Sequence, residues 1–251
     1  MHSLIPYCGT PPLPSEILGR FNLDPVLIGS LVLLAGLHLR SVWRSGAVGA
    51  VSSGWIIAAA ALVSPLCALS VSLFSARVGQ HMVLILIAAP LIALGLPQRG
   101  SRGGGWRAWG AAAAFFGLLW FWHMPLPYDA TFTSTPVYWS MHVTLFGSAI
   151  LLWREILHHS GDQAFVALAV GVLSSTQMGL LGAILTLAQH PLFAPHLLTT
   201  QAWGFTPLED QQLGGALMWV PGIVLFLWTS LRSLQRLWLG SRGRDLHEHG
   251  T

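Results

Sequence analysis

Three His–Met neighbours, His81-Met82, His123-Met124 and Met141-His142, are the residues best suited to chemistry in this chain. Random placement of its five internal Met and eleven His gives roughly half of one such adjacency. Imidazole ligates copper in either oxidation state, and thioether or thiolate sulfur suits Cu(I). Each pair lies in, or at the end of, a long apolar run. An ionisable residue inside a membrane span is a functional-site hypothesis by default. A single intramembrane His can instead hydrogen-bond across a helix pair, and Met is an ordinary gap filler. Packing is the favoured reading for Met178 and Met218.

The elements that position these residues follow from composition. The chain has 251 residues, 53% hydrophobic and 8% charged, against roughly 25% charged in a soluble domain. We expect an all-α integral membrane protein, a bundle of seven transmembrane helices. The spans fall near 26–42, 48–72, 78–96, 107–123, 137–153, 164–188 and 212–231, each long enough to cross a hydrocarbon core. Residues 1–25 form an N-terminal segment, 26–231 the membrane domain and 232–251 a polar tail, expected to be poorly ordered from 240 onward. Asp24-Pro25 reads as an N-cap with proline at the first helical position. Pro65, Pro90 and Pro221-Gly222 predict kinks inside spans. Trp106, Trp109, Trp120, Trp122, Trp139 and Trp153 lie near span ends, as an interfacial belt would. The joint 98–105 is Gly-rich and basic, a flexible loop. Residues 1–24 lack the basic start and apolar stretch of a cleavable signal, so the first span is expected to serve as its own insertion signal.

Arginine sets the orientation. There is no Lys, and Arg40, Arg44, Arg99, Arg102, Arg107, Arg154, Arg232, Arg236, Arg242 and Arg244 all fall on one side of such a bundle. Only Arg20 and Arg77 fall on the other. The positive-inside rule places the N-terminus outside and the C-terminus in the cytoplasm. His81, His123 and His142 then lie at similar depth in the outer part of the membrane, with Met82, Met124 and Met141 beside them. Cys8 and Cys67 are also outer, and are too few to define a disulfide framework.

Polar neighbours extend the candidate set. Asp210 reads as an orienting partner for a His ligand or as the N-terminal cap of the seventh span. Gln80 is a second partner or a helix–helix hydrogen bond, and Gln211 sits beside Asp210. Tyr128 and Asp129 lie in an outer loop. His190 and His196 lie in the long outer loop, with solvation as their favoured reading. His38, His158, His159, His247 and His249 are on the cytoplasmic side, and Glu155 and Asp162 read as loop charges. No phosphate loop, HExxH or nucleophile elbow occurs, so no enzymatic activity is expected. The absence of Lys excludes a retinal Schiff base, and no basic patch interleaved with aromatics suggests nucleic acid.

These same stretches resemble the multi-span cytochrome c oxidase assembly factor family called CtaG, of the caa3 type. They are Tyr7-Cys8-Gly9 with Asn22-Leu23-Asp24-Pro25, SPLCALSVSLFSARVGQHMVLILIAAPLIALGLP (64–97), WHMPLPYDATF (122–132), WSMHVTLFGSAILLW (139–153) and PLEDQQLGGALMWVPG (207–222). The resemblance covers nearly the whole chain. It implies a multi-pass protein of the bacterial inner membrane, with residues 1–25 in the periplasm, that is needed to make active cytochrome c oxidase. Copper supply is the role usually proposed for such factors. Carried over by position, the family's polar residues fall on His81, His123, His142, Asp210 and Gln211. Other branches carry an additional His in the stretch before the Gln-His pair, a neighbourhood that Arg77 occupies here, so the resemblance implies a metal site with fewer ligands or one that uses Met or Cys67 instead.

The favoured function is therefore non-enzymatic. Copper, as Cu(I), would be held by His81, His123 and His142, with Met82, Met124 and Met141 as transient ligands and Asp210, Gln80 and Gln211 behind them. It would pass to an assembling oxidase subunit or another copper-handling assembly protein. Two alternatives stay open: a haem-binding membrane electron carrier with paired His as axial ligands, and a metal-free scaffold that grips oxidase subunits.

Overall fold

The computed structural model describes residues 5–97, 105–158 and 164–248, whose regular structure is all helical, with no strand among them. Among the described residues, three helices are long and apolar enough to cross a membrane, Pro25–Val42, Phe74–Ala93 and Phe165–Leu187, or four if the bent pair Val48–Val63 and Leu66–Ser72 is one span. The Gly-rich joint, apart from Gly105, lies outside the described residues, as do His159, Asp162 and His249.

Helix α1 (Pro25–Val42) starts where the Asp24 carboxylate accepts from the Val26 N–H at 2.8 Å, with Pro25 at the first position. Helix α2 (Val48–Val63) ends at Pro65, because a residue before proline is pushed out of the helical region and Ser64 is extended. Helix α3 (Leu66–Ser72) resumes at an angle of 47°. The stretch 48–72 is thus two helices, not one.

The third apolar run begins at Phe74, four residues earlier than its hydropathy indicates. It is α4 (Phe74–Met82), a π-helical stretch Val83–Ala88, and α5 (Ala89–Ala93). Pro90 explains the π stretch. The Ala89 N–H bonds the Leu84 carbonyl, one residue further back than in an α-helix. In that register the next donor would be Pro90, which has no N–H. The carbonyl left over, Ile85, instead accepts from the Trp153 indole at 2.7 Å. Trp153 is therefore core and not belt: it is 2% exposed and stacks on Phe226. Trp122 is buried as well, bonding Thr144, while Trp106 and Trp109 are exposed.

Helix α6 (Trp106–Trp122) leads into α7 (Pro125–Thr133), a short helix where the sequence reading has a loop. Helices α8 (Thr135–His158), α9 (Ala164–Leu187) and α10 (Pro207–Glu248) follow. α10 continues as far as Glu248, into the segment expected to be poorly ordered, since extending an existing helix fixes one residue per hydrogen bond whereas starting one fixes three. Glu155 is not a loop charge: it is buried within α8 and paired with Arg154.

The rod from Phe74 to Ala93 is the axis of the bundle, 72% buried. α10 packs on α4 and α9, α6 on α8 and α9, and α5 on α8 and α2. α9 and α10 meet through Gly182 and Gly215: a Cβ on Gly182 would stand 2.8 Å from the Gly215 carbonyl. Small residues of this kind let membrane helices approach closely. Met178 and Met218 are fully buried, Met178 against Gly222, so they pack.

Candidate metal centre

Helices α4, α6 and α8 bring three imidazoles together. His81 lies in the last turn of α4, His123 is the C-cap of α6, and His142 sits two turns into α8. The His81 ring centroid is 5.2 Å from that of His142 and 6.1 Å from that of His123. All three are at most 5% exposed.

Backbone carbonyls fix two tautomers. His123 Nδ1 bonds the Leu119 carbonyl at 2.7 Å, and His142 Nδ1 bonds the Tyr138 carbonyl at 3.1 Å. A carbonyl only accepts, so Nδ1 carries the proton and Nε2 keeps a lone pair, the arrangement that orients a ligating imidazole. Among the described residues, His142 Nε2 is buried without a partner, and neither nitrogen of His81 has one. Leaving a buried polar atom unsatisfied costs about 1–3 kcal/mol, and a bound cation would remove that cost. The rings are neighbours rather than a closed shell. Among the described residues no group of three or more His, Cys, Asp or Glu is drawn together as a formed metal site.

The Met residues divide. Met82 and Met141 are buried in the central core, while Met124 is 51% exposed at the start of α7. Gln80 reaches across to α2, donating to the Ala61 carbonyl at 2.8 Å. Gln211 accepts from the Leu192 N–H at 2.6 Å and ties down the loop between α9 and α10. Asp210 neither caps its own helix nor bonds an imidazole. Its carboxylate takes the Phe74 N–H at 2.6 Å, the Ser75 N–H at 3.1 Å and the Ser75 hydroxyl. It caps α4, and so fixes His81 through the backbone two turns away. Cys67 is joined to Cys8 in a disulfide, so its sulfur is not a free thiolate that could share a metal with the imidazoles.

Three residues at the site escape a reading by type. Arg77, one helical turn before His81, is 1% exposed. Its guanidinium donates to Thr131 at 2.6 Å and lies 4.0 Å from the Phe132 ring centroid. Among the described residues it forms no ion pair. Tyr138 lies one turn before His142, its ring centroid 4.3 Å away. The i, i+4 spacing of both pairs was the available signal. His142 also lines an apolar cleft of about 510 Å³ between α1, α2 and α8, with Leu27, Trp55, Trp139 and Phe146.

His196 is the third. It is not solvated: it is 2% exposed, with Nε2 2.7 Å from the Tyr128 hydroxyl and its ring against Phe74 and Phe132. Burial, with the Arg77 charge second, pushes its pKa down to about 3. An unfolded His titrates near 6.5, so between these values the unfolded loop binds more protons. Loop stability should therefore fall as pH drops below about 6.5, by at most about 1.4 kcal/mol per pH unit. Amide protection across 190–206, with the intrinsic pH dependence of exchange divided out, should be lower at pH 5 than at pH 7, and His196→Gln should flatten that dependence.

Residues 31–238, the great majority of the chain, match the family described as cytochrome c oxidase caa3 assembly factor (Caa3_CtaG). The chain belongs to that family. No curated protein and no solved structure matches it. Membership makes oxidase assembly the setting in which this member's imidazoles have to be understood.

Proposed function

We propose that this protein is a non-enzymatic copper carrier of the inner membrane, which holds Cu(I) at His81, His123 and His142 and supplies it to an assembling oxidase subunit. The observation that carries this reading is His81, a buried imidazole with both nitrogens unpartnered beside two others whose tautomers leave Nε2 open. Arg77 favours the monovalent ion, because a fixed positive charge repels a divalent cation twice as strongly at equal distance. Met82 and Met141 are close in sequence to the ligands and would assist in transit. Met124, half-exposed at the rim, would meet an incoming ion first. The bound ion would be cargo, so the chain's own task is to desolvate it, exclude water and release it to a partner.

The topology in this proposal has α6, α8 and α10 completing seven spans, N-terminus outside. The arginine distribution supports it. So does the disulfide, since such bonds persist on the oxidising side of a membrane. A periplasmic reporter fused near Pro127 or Pro195 should be active, and one near Arg102 or at the C-terminus inactive. The reverse pattern would move every ligand to the wrong face.

Detergent-purified protein, reduced and supplied with Cu(I), should bind at least one ion per chain and show no Soret band. A Soret band would favour the haem carrier instead. Absence of bound copper, with oxidase assembly intact, would leave the scaffold reading.

A further inference from the structure

The Cys8–Cys67 disulfide joins the N-terminal segment to α3, but other contacts hold that segment too. That segment is fixed without it. Tyr7 donates to Asp24 at 2.5 Å, the Asn22 N–H bonds the Val63 carbonyl at 2.8 Å, and Pro12 accepts from Ser72 at 3.2 Å and Trp203 at 3.3 Å. The Tyr7 ring also packs on Tyr138 and Trp139 at 4.8 and 5.1 Å. Reduction would therefore leave two thiols in place.

The two sulfurs differ in access. Cys67 is 1% exposed, whereas Cys8 is only half-buried. An incoming thiolate can reach Cys8, and Cys67 then leaves. Two donors wait for that leaving sulfur: Asn22 Nδ2 at 3.4 Å and the Tyr138 hydroxyl at 3.7 Å, the latter also 3.2 Å from the Cys8 sulfur. Hydrogen bonds to a thiolate favour it over the thiol. A bond that only cross-links has no use for them. Tyr138 moreover ties the sulfurs to the imidazoles, since its ring lies on His142 and its carbonyl holds His142 Nδ1.

We propose that Cys8 and Cys67, once reduced, form a second soft-metal site that binds one Cu(I) between two thiolates and feeds the imidazoles through the Tyr138–His142 contact. This rests on the copper-carrier reading above. The balance is simple. A thioredoxin-like dithiol at the outer face gives two electrons and two protons to the disulfide and becomes a disulfide itself. The two thiols then lose their protons to solvent as Cu(I) binds, because thiolate is the metal-binding form. Transfer to the imidazoles returns those protons to sulfur, with no change in the oxidation state of copper.

The test uses the full-length protein in detergent, Cu(I) held by a competing chelator, and the same wild-type preparation either oxidised or reduced with a phosphine. Reduced protein should bind about twice the copper of oxidised protein, with copper–sulfur scattering in its X-ray absorption spectrum. The reduced triple variant His81→Ala/His123→Ala/His142→Ala should keep the sulfur-bound ion, and Cys8→Ser/Cys67→Ser should bind one ion in either redox state. Equal copper in the two redox states, with no sulfur scattering, would overturn the proposal and make the pair a cross-link. If oxidised protein binds no copper while reduced protein binds one ion through sulfur, the imidazole reading fails and the thiolate site stands. The oxidised–reduced comparison needs no substitution and so does not depend on a variant folding.

Discussion

His81→Ala should reduce copper affinity at the imidazole site by more than about 100-fold and leave the protein folded. Loss of a residue that merely orients a ligand costs about 10–100-fold in metal affinity, and loss of a ligand should cost more. The stability forecast comes from the same atoms. Neither His81 nitrogen has a hydrogen-bond partner among the described residues, so alanine removes two unsatisfied buried atoms and breaks no bond seen there. His123→Ala and His142→Ala each give up one bond to a carbonyl in their own helix. All three should insert and unfold nearly as the parent does, yet lower copper stoichiometry and oxidase activity. Met82→Leu keeps volume and apolar character and should cost less. Added copper should partly rescue the single variants by mass action. A triple His variant with full oxidase assembly at limiting copper would sink the carrier reading.

Asp210→Ala should do the opposite, damaging the fold first. Its carboxylate receives two backbone N–H groups and a hydroxyl, all buried where α10 meets the start of α4. Hydrogen bonds to a charged group are worth about 1.5–3 kcal/mol each. Truncation strands both N–H donors, so we expect a loss of about 3–5 kcal/mol, measured by unfolding in detergent. Asp210→Asn retains one acceptor oxygen and should lose roughly half as much. Because the cap sits at the head of the helix that bears His81, copper binding should weaken in step with stability. A variant that binds copper poorly at unchanged stability would instead put Asp210 beside the metal.

Much of this was legible in the residues. Apolar runs fixed the class and the approximate helices, because no sequence so poor in charge covers a water-facing surface. Asp24-Pro25 marked the start of α1, since a cap and a proline act locally. The three His–Met pairs marked the imidazoles that the fold brings together, since residue type and spacing along a helix are readable without neighbours. The burial of Trp153 and His196 was not, because an aromatic near a span end and a His in a loop have the same sequence signal whether solvated or enclosed.

The sequence by itself determined that the chain is helical and apolar, with most of its Arg gathered in alternate joints and His–Met pairs in or at the ends of its apolar runs. Those properties are sums over residues or depend on near neighbours in the chain. Only the tertiary structure decided the pairings that span long separations: Asp210 with Phe74, Cys8 with Cys67, Tyr128 with His196, and Trp153 with the carbonyl freed above Pro90. A carboxylate or an indole can satisfy any buried group of the right kind. Which one it meets is set by how the helices pack, and that packing is a property of the whole bundle.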